Sequence, residues 1–170
     1  MKIFLLVLLL CLSTASQASE CPLLESEGLS RGQVATLYRA FLAGRENDMS
    51  YSLAAIAWKE SSAGLYLVNP NDPSSGAFHV TVRNAVYYAG WENTESNRQV
   101  MYMILQHDFD TAAHYAMLNL RFWRKAYGVG WKKAYQYYNG GRSYSKSSVK
   151  YSADIVSKIR VIQKCNWSGE

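Results

Sequence analysis

The apolar positions of this chain recur mostly with helical spacing. In the segment YSLAAIAWKESS, Leu53, Ile56 and Ala57 lie at i, i+3 and i+4 and form one apolar stripe. The next position of that stripe, i+7, is Glu60, so a carboxyl group stands where the pattern favours an apolar side chain. Two serines and a glycine then end the helix. The pattern therefore indicates Glu60 as the first candidate functional residue.

Other segments predict further helices around this one. Ser30 and Gln33 form a capping box that opens a helix. A final helix is expected from Ser147 or Ser148. Its core face is expected at Val149, Ala153, Val156 and Ile159. Turn residues are dense only in segment 65–80, where short strands are expected. The expected fold class is mainly α: a single compact helical domain with a small irregular or β segment next to the catalytic helix.

The first 18 residues, MKIFLLVLLLCLSTASQA, have the pattern of a signal peptide. Lys2 precedes an apolar run over residues 3–12, and Ser16, Gln17 and Ala18 form a small-x-small cleavage site. We expect a signal peptide at 1–18 and one exported domain at 19–170, located in a periplasm or secreted. The apolar run is short for a bilayer span, and an uncleaved N-terminal anchor is the alternative.

Cleavage after Ala18 removes Cys11 and leaves two cysteines, Cys21 and Cys165. An even number of cysteines in an exported chain favours a disulfide bond, so we predict a pair between these two. The alternative is two free thiols, which an oxidising compartment disfavours. The predicted bond would close almost the whole exported domain into one loop.

The composition favours an anionic partner. The chain has 18 Lys and Arg against 13 Asp and Glu, a pI near 9.1, 5 Trp and 13 Tyr. This balance suits a cell wall polymer, a nucleic acid or a membrane surface, and aromatic rings suit sugars as well as cores. The basic residues read as scattered along the sequence, which argues against a nucleic-acid partner.

Metal and hydrolase motifs are missing from the sequence. His107 and His114 lie seven residues apart, but a metal site needs three or four converging ligands, so a solvated helix edge is the better interpretation. The chain contains no HExxH, no paired CxxC and no Gly-x-Ser-x-Gly elbow. We therefore expect no metal and no cofactor.

The position of Glu60 suits general-acid chemistry. A carboxyl group at the inner edge of a helix end, covered by a loop, is partly desolvated, which favours its acid form. Protonating a glycosidic oxygen requires such a group. The alternative is a helix-end Glu whose side chain turns out to solvent.

Several motifs around Glu60 resemble a known enzyme family. They are Glu60-Ser61-Ser62, Asn69-Pro70, Gly76-Ala77-Phe78-His79-Val80 and Tyr137-Tyr138-Asn139-Gly140-Gly141. In order, spacing and helix-then-loop context they resemble the soluble lytic transglycosylase domain, which reads Glu-Ser, a Ser-Pro loop, Gly-Leu-Met-Gln and Ala-Tyr-Asn-Ala-Gly. The chain departs from that pattern in having His79 for Gln and Asn69-Pro70 for Ser-Pro.

The resemblance implies a lysozyme-like fold and a set of site residues. Glu60 would be the catalytic acid, and the substrate-binding residues would be Ser61, Asn69, Phe78, His79, Tyr138 and Asn139. The Tyr138 hydroxyl would reach the acid and Asn139 would border the sugar groove. For Phe78, packing beneath the loop is favoured over a sugar platform. His79 has two interpretations: it binds an N-acetyl group or muropeptide, or it is satisfied by loop carbonyls.

By the same resemblance, residues 19–170 would form a peptidoglycan lytic transglycosylase. It would cleave the N-acetylmuramic acid–N-acetylglucosamine bond and leave 1,6-anhydromuramyl products. Its partner would be peptidoglycan glycan strands, and we expect a monomer with no nucleic-acid partner and no stable membrane insertion after signal cleavage. The alternatives are a goose-type-like lysozyme with Asp72 as base, a non-catalytic wall-binding module, and a basic aromatic domain that disrupts membranes.

Overall fold

The computed structural model describes residues 20–69 and 73–167; the predicted signal peptide and Asp72 lie outside them. Within the described residues the chain forms eight α-helices. They are α1 (Pro22–Ser26), α2 (Arg31–Ala43), α3 (Ser50–Ser61), α4 (Val82–Tyr88), α5 (Glu95–His107), α6 (Phe109–Tyr127), α7 (Trp131–Gly140) and α8 (Lys146–Ile162). The prediction of a mainly helical, compact chain is confirmed. None of the helices in this part of the chain is long and apolar enough to cross a membrane.

A two-stranded antiparallel sheet follows α3, in the segment where strands were expected. Strand β1 (Ser74–Ser75) pairs with β2 (Val80–Thr81), with Ser75 opposite Val80. The strands are joined by the turn 76–79, and β2 leads directly into α4. The sheet is too short to form a core layer of its own, and its role is to place this turn beside the end of α3.

Helix α3 is the central helix of the fold. The pattern predicts one apolar stripe, but the structure buries every side chain from residue 52 to residue 57. The small residues Ala54, Ala55 and Ala57 make this possible, because they let α2 and α8 pack closely on both sides. A helix buried all round indicates a core element rather than a surface helix. Partial exposure is confined to its first two residues and to Trp58, Lys59 and Glu60 near its end.

Helix α8 buries a different face from the expected one. Ala153, placed in the core by the pattern, is exposed. The buried positions follow i, i+3, i+4 and i+7: they are Ser148, Tyr151, Ser152 and Ile155. Small and aromatic residues fit here because α8 packs tightly on α3 and α7. The apolar pattern alone misses this face because half of its residues are serines.

Local capping explains where several helices begin. The Ser30–Gln33 capping box opens α2 as expected, with both reciprocal hydrogen bonds formed. Asp108 separates α5 from α6 and accepts hydrogen bonds from the backbone N–H groups of Asp110 and Thr111. Side-chain acceptors at these positions satisfy N–H groups that have no partner within the helix.

The sulfur atoms of Cys21 and Cys165 lie at bonding distance, 2.11 Å apart. Cys21 immediately precedes α1, and Cys165 ends the short 3-10 helix that continues α8. The pair therefore joins the two ends of the described fold across a sequence separation of 144 residues.

Replacing both cysteines with alanine should lower the free energy of unfolding by roughly 2–5 kcal/mol, because closing a long loop restricts the unfolded chain. For a domain of this size the melting temperature should fall by roughly 5–15 °C. Calorimetry of the native protein, purified without reductant, and of the double variant measures both quantities. Two thiols that react with an alkylating reagent in this native protein would contradict the pairing.

Candidate active site

Glu60 lies in the last turn of α3 with its carboxyl group turned towards α8 and the turn 76–79. Its side chain is only 16% exposed. The hydroxyl of Tyr151, a buried residue of α8, donates a hydrogen bond to Glu60 Oε1 at 2.5 Å. Desolvating a carboxyl group is costly unless such partners are present. The interpretation of Glu60 as a solvent-directed side chain is therefore wrong.

The ring of His79 faces the other oxygen of this carboxyl group. His79 Nδ1 lies 3.7 Å from Glu60 Oε2, and His79 Nε2 lies 2.9 Å from the backbone oxygen of Tyr66. Because a carbonyl oxygen only accepts, Nε2 carries the hydrogen and donates it. Nδ1 is thus left to face Glu60, as a lone pair in the neutral ring or as an N–H in the charged ring. His79 combines a loop-carbonyl partner with a position beside the acid.

Hydrogen bonds from two helices hold the turn 76–79 in place. The Ser61 hydroxyl, at the end of α3, donates to the carbonyl oxygen of Ala77 at 2.7 Å. The Tyr138 hydroxyl, on α7, donates to the carbonyl oxygen of the next residue, Phe78, at 2.8 Å. Two consecutive peptide groups are therefore fixed from opposite sides. This fixes the backbone that carries His79.

Gly76 is required by the geometry of this turn. Its φ of +80° lies in the left-handed region, and an added Cβ would lie 2.0 Å from the carbonyl oxygen of Leu105. Any side chain there would push the turn away from α5. His79 also has a positive φ, +41°, a conformation that costs a residue with a side chain about 1–3 kcal/mol. The anchoring hydrogen bonds of the turn offset this cost.

These contacts revise the roles expected for Ser61 and Tyr138 and agree with the packing favoured for Phe78. Ser61 and Phe78 are completely buried, and the Phe78 ring packs 5.2 Å from that of Phe109, so neither presents a surface to a sugar. The Tyr138 hydroxyl donates to a backbone carbonyl, and the hydroxyl that reaches Glu60 belongs to Tyr151. Ser61, Phe78 and Tyr138 are therefore positioning residues.

The two asparagine candidates occupy different places. Asn69 is half-buried and lies in the segment between α3 and β1, before the turn 76–79 along the chain. Asn139 is exposed near the C-terminal end of α7, one residue after Tyr138. Both remain candidates for contact with a ligand.

Further contacts join α3 to α8 around Glu60. Lys59 Nζ lies 2.8 Å from Asp154 Oδ2, and Lys158 Nζ lies 4.0 Å from the centre of the Trp58 ring. The hydrogen bond from Lys59 lowers the pKa of Asp154, so this carboxylate stays ionised and paired at neutral pH. These contacts fix the register of the two helices that carry the acid and its tyrosine.

The tyrosines near Glu60 remain protonated over a wide pH range. Burial, and secondarily the charge of Glu60, raises the pKa of Tyr138 and of Tyr151 well above 10. Both hydroxyls therefore keep their hydrogen and remain donors at every physiological pH.

His107 and His114 are both exposed. Among the residues that the structure describes, no group of three or more His, Cys, Asp and Glu side chains could hold a metal ion.

The most important residue that the sequence reasoning missed is Tyr151. A signal for it exists, because Ser148, Tyr151, Ser152 and Ile155 follow helical spacing as regularly as the apolar stripe does.

Comparison of the chain with protein-family models, with curated proteins and with solved structures gave no match. The function is therefore inferred from the geometry of the site and the sequence motifs.

The raised tyrosine pKa values predict a loss of stability in alkaline solution. Unfolded tyrosines ionise near pH 10, while Tyr138 and Tyr151 stay neutral in the folded state. The contribution of these two tyrosines to the free energy of unfolding is fully present below pH 10. It is lost as the pH rises towards the raised pKa values, at about 1.4 kcal/mol per pH unit for each residue.

Urea denaturation between about pH 9 and about pH 11 measures this slope. In Tyr151→Phe the slope of the unfolding free energy against pH should become smaller by the contribution of one tyrosine. Tyr66→Phe, which changes an exposed ring, should leave this slope unchanged. Identical slopes in the parent protein and Tyr151→Phe would contradict the assignment.

Proposed function

We propose that this chain is a peptidoglycan lytic transglycosylase with a lysozyme-like fold and that Glu60 is its single catalytic acid and base. The observation that carries the proposal is the environment of Glu60. Its side chain is 16% exposed, accepts a hydrogen bond from the Tyr151 hydroxyl and faces His79. The motif resemblance around Glu60 and the turn 76–79 supplies the substrate class. The basic, aromatic-rich composition suits an anionic glycan.

The first chemical step is protonation of the leaving group. Because Tyr151 donates to Oε1, that oxygen acts as the acceptor, and the acid proton is carried by Oε2 on the His79 side. Oε2 then donates the proton to the glycosidic oxygen, and the bond to C1 of the muramyl residue breaks through an oxocarbenium-like state. The resulting carboxylate of Glu60 is stabilised by the Tyr151 hydroxyl.

The second step returns the proton. The ionised Glu60 accepts the hydrogen of the muramyl 6-hydroxyl as that oxygen bonds to C1, which closes the 1,6-anhydro ring. One carboxyl group therefore serves both steps. Tyr151 keeps its hydrogen throughout, because its pKa is raised well above 10. Its role is to hold one carboxyl oxygen while the other exchanges a proton.

A hydrolytic lysozyme is the second candidate function. It would use the same acid and activate a water molecule with a second carboxylate, for which the sequence offers Asp72, between α3 and β1 along the chain. An inverting hydrolase needs its two carboxyl groups about 6.5–9.5 Å apart. Asp72 lies outside the described residues, so its substitution is the direct way to separate the two reactions.

Glu60→Gln should remove glycan cleavage. Glutamine keeps the shape of the side chain and can still accept from Tyr151, but it has no acid proton to donate. General acid–base groups contribute about 10²–10⁴ in rate, and a group that serves both steps contributes at least as much. Release of muropeptides from purified peptidoglycan measures the loss.

Glu46→Gln is the matched control, because it makes the same chemical change at an exposed site. A parent-like rate in Glu60→Gln would show that Glu60 is not the acid. A wall-binding module without catalysis would instead give binding but no released products in the parent protein.

Mass spectrometry of the released muropeptides should show 1,6-anhydromuramyl ends, which are one water lighter than hydrolytic reducing ends. Asp72→Asn should leave the rate nearly unchanged, because the cyclising reaction uses no second carboxylate. Reducing ends as the main product, together with an inactive Asp72→Asn, would favour the lysozyme instead.

A further inference from the structure

The basic residues of this chain are strongly concentrated in one segment. Between Asp110 and Asp154 the sequence contains eight Lys and Arg residues and no Asp or Glu, which leaves 10 Lys and Arg against 13 Asp and Glu elsewhere. The description of the positive charges as scattered is therefore wrong. The segment forms α6, α7 and the start of α8, so its charge lies on adjacent elements of the fold.

An aromatic cluster lies on the helices that carry these basic residues. The rings of Trp123, Tyr127 and Tyr137 lie 5.3–5.7 Å from one another, where the end of α6 meets α7. Lys133 Nζ lies 5.3 Å from the Tyr137 ring centre, and the Arg142 guanidinium carbon lies 5.1 Å from that of Tyr127. We call these five residues the basic aromatic face.

The cations of this region make few contacts with carboxylates, although the charge of Lys150 helps to lower the pKa of Asp154. Among the described residues, no ion pair involves a Lys or Arg from Arg121 to Lys150. Arg124 and Lys125 lie in the last turn of α6, where cations are favourable for the helix dipole. That explanation does not extend to Lys133, in the first turn of α7, or to Arg142, beyond its end. An external anionic surface would provide oppositely charged partners for Lys133 and Arg142.

The arrangement of rings and cations indicates what kind of anionic surface fits. Cations lie over the rings of Tyr127 and Tyr137, so these two rings are already paired with positive charge. Beside them, Phe122 is 43% exposed and Tyr144 is 76% exposed. Exposed aromatic side chains among lysines and arginines are typical of the boundary between lipid headgroups and acyl chains.

We propose that the basic aromatic face docks the protein onto the surface of an anionic phospholipid bilayer. Lys133 and Arg142 contact the headgroup phosphates, while Phe122 and Tyr144 enter the interfacial layer. The docking is peripheral, and it does not depend on the function proposed for Glu60. On α7, Tyr137 belongs to this face, whereas the next residue, Tyr138, is bonded to the turn beside the acid.

Sedimentation with vesicles of phosphatidylglycerol and phosphatidylcholine tests the proposal at physiological ionic strength. The exported protein should bind these vesicles and not vesicles of phosphatidylcholine alone. A cation near an anionic bilayer contributes about fivefold to the partition coefficient. The triple variant Lys125→Gln, Lys133→Gln, Arg142→Gln removes the two cations of the face and the exposed Lys125, which lies between Trp123 and Tyr127 in the sequence. It should bind about 100-fold more weakly.

The matched control is Arg83→Gln, Arg160→Gln, Lys164→Gln, which removes the same charge from exposed positions outside the face. Its binding should change little, because charges beyond about 8 Å are screened. A second variant, Phe122→Ser with Tyr144→Ser, should weaken vesicle binding and leave binding of soluble polyphosphate unchanged.

Three results would overturn the proposal. They are absence of binding to anionic vesicles, equal losses in the two triple variants, and tighter binding to polyphosphate or an oligonucleotide with no effect of the aromatic substitutions. The last result would assign the face to a soluble polyanion. Melting temperatures of all variants confirm that they are folded.

Discussion

A carboxyl group at the end of a buried helix must have hydrogen-bond partners, and the structure around α3 meets this requirement. Glu60 extends from the central helix into a space enclosed by α8 and the turn 76–79. Leaving it there without partners would cost several kcal/mol. The Tyr151 hydroxyl provides one partner. The nearby Lys59–Asp154 pair fixes the position of α8 along α3, which places Tyr151 opposite Glu60. The hydrogen bonding of the Glu60 carboxyl group and the packing of α3 on α8 therefore depend on each other.

The turn 76–79 shows how a loop can be as well fixed as a helix. Its backbone carbonyls accept hydrogen bonds from α3 and α7, and Gly76 allows it to approach α5. The positive φ of His79 is held by these neighbours. In catalysis, a displacement of about 1 Å can cost about 100-fold in rate. The buried Ser61 and the half-buried Tyr138 can thus matter for activity without touching a substrate.

The helices and several caps follow from the sequence because they depend on local spacing. The Ser30–Gln33 capping box and the interruption of the α3 stripe by Glu60 are examples. Tyr151 does not follow in the same way, because its partner lies 91 residues away and its own face of α8 contains serines. The orientation of His79 depends equally on distant atoms, namely the Tyr66 carbonyl and the carboxyl of Glu60. The local pattern draws attention to Glu60, but the neighbours of Glu60 are set by tertiary packing.

The joined cysteines give the described fold the topology of a ring. Their Cα atoms lie 5.3 Å apart, so the first and last helical segments of the described fold meet at one point. A single proteolytic cut anywhere between Cys21 and Cys165 would open this ring without releasing a fragment. The two pieces would stay covalently attached and would separate only after reduction. As long as this disulfide bond is intact, one nick in a loop would therefore leave the helices that surround Glu60 tethered together.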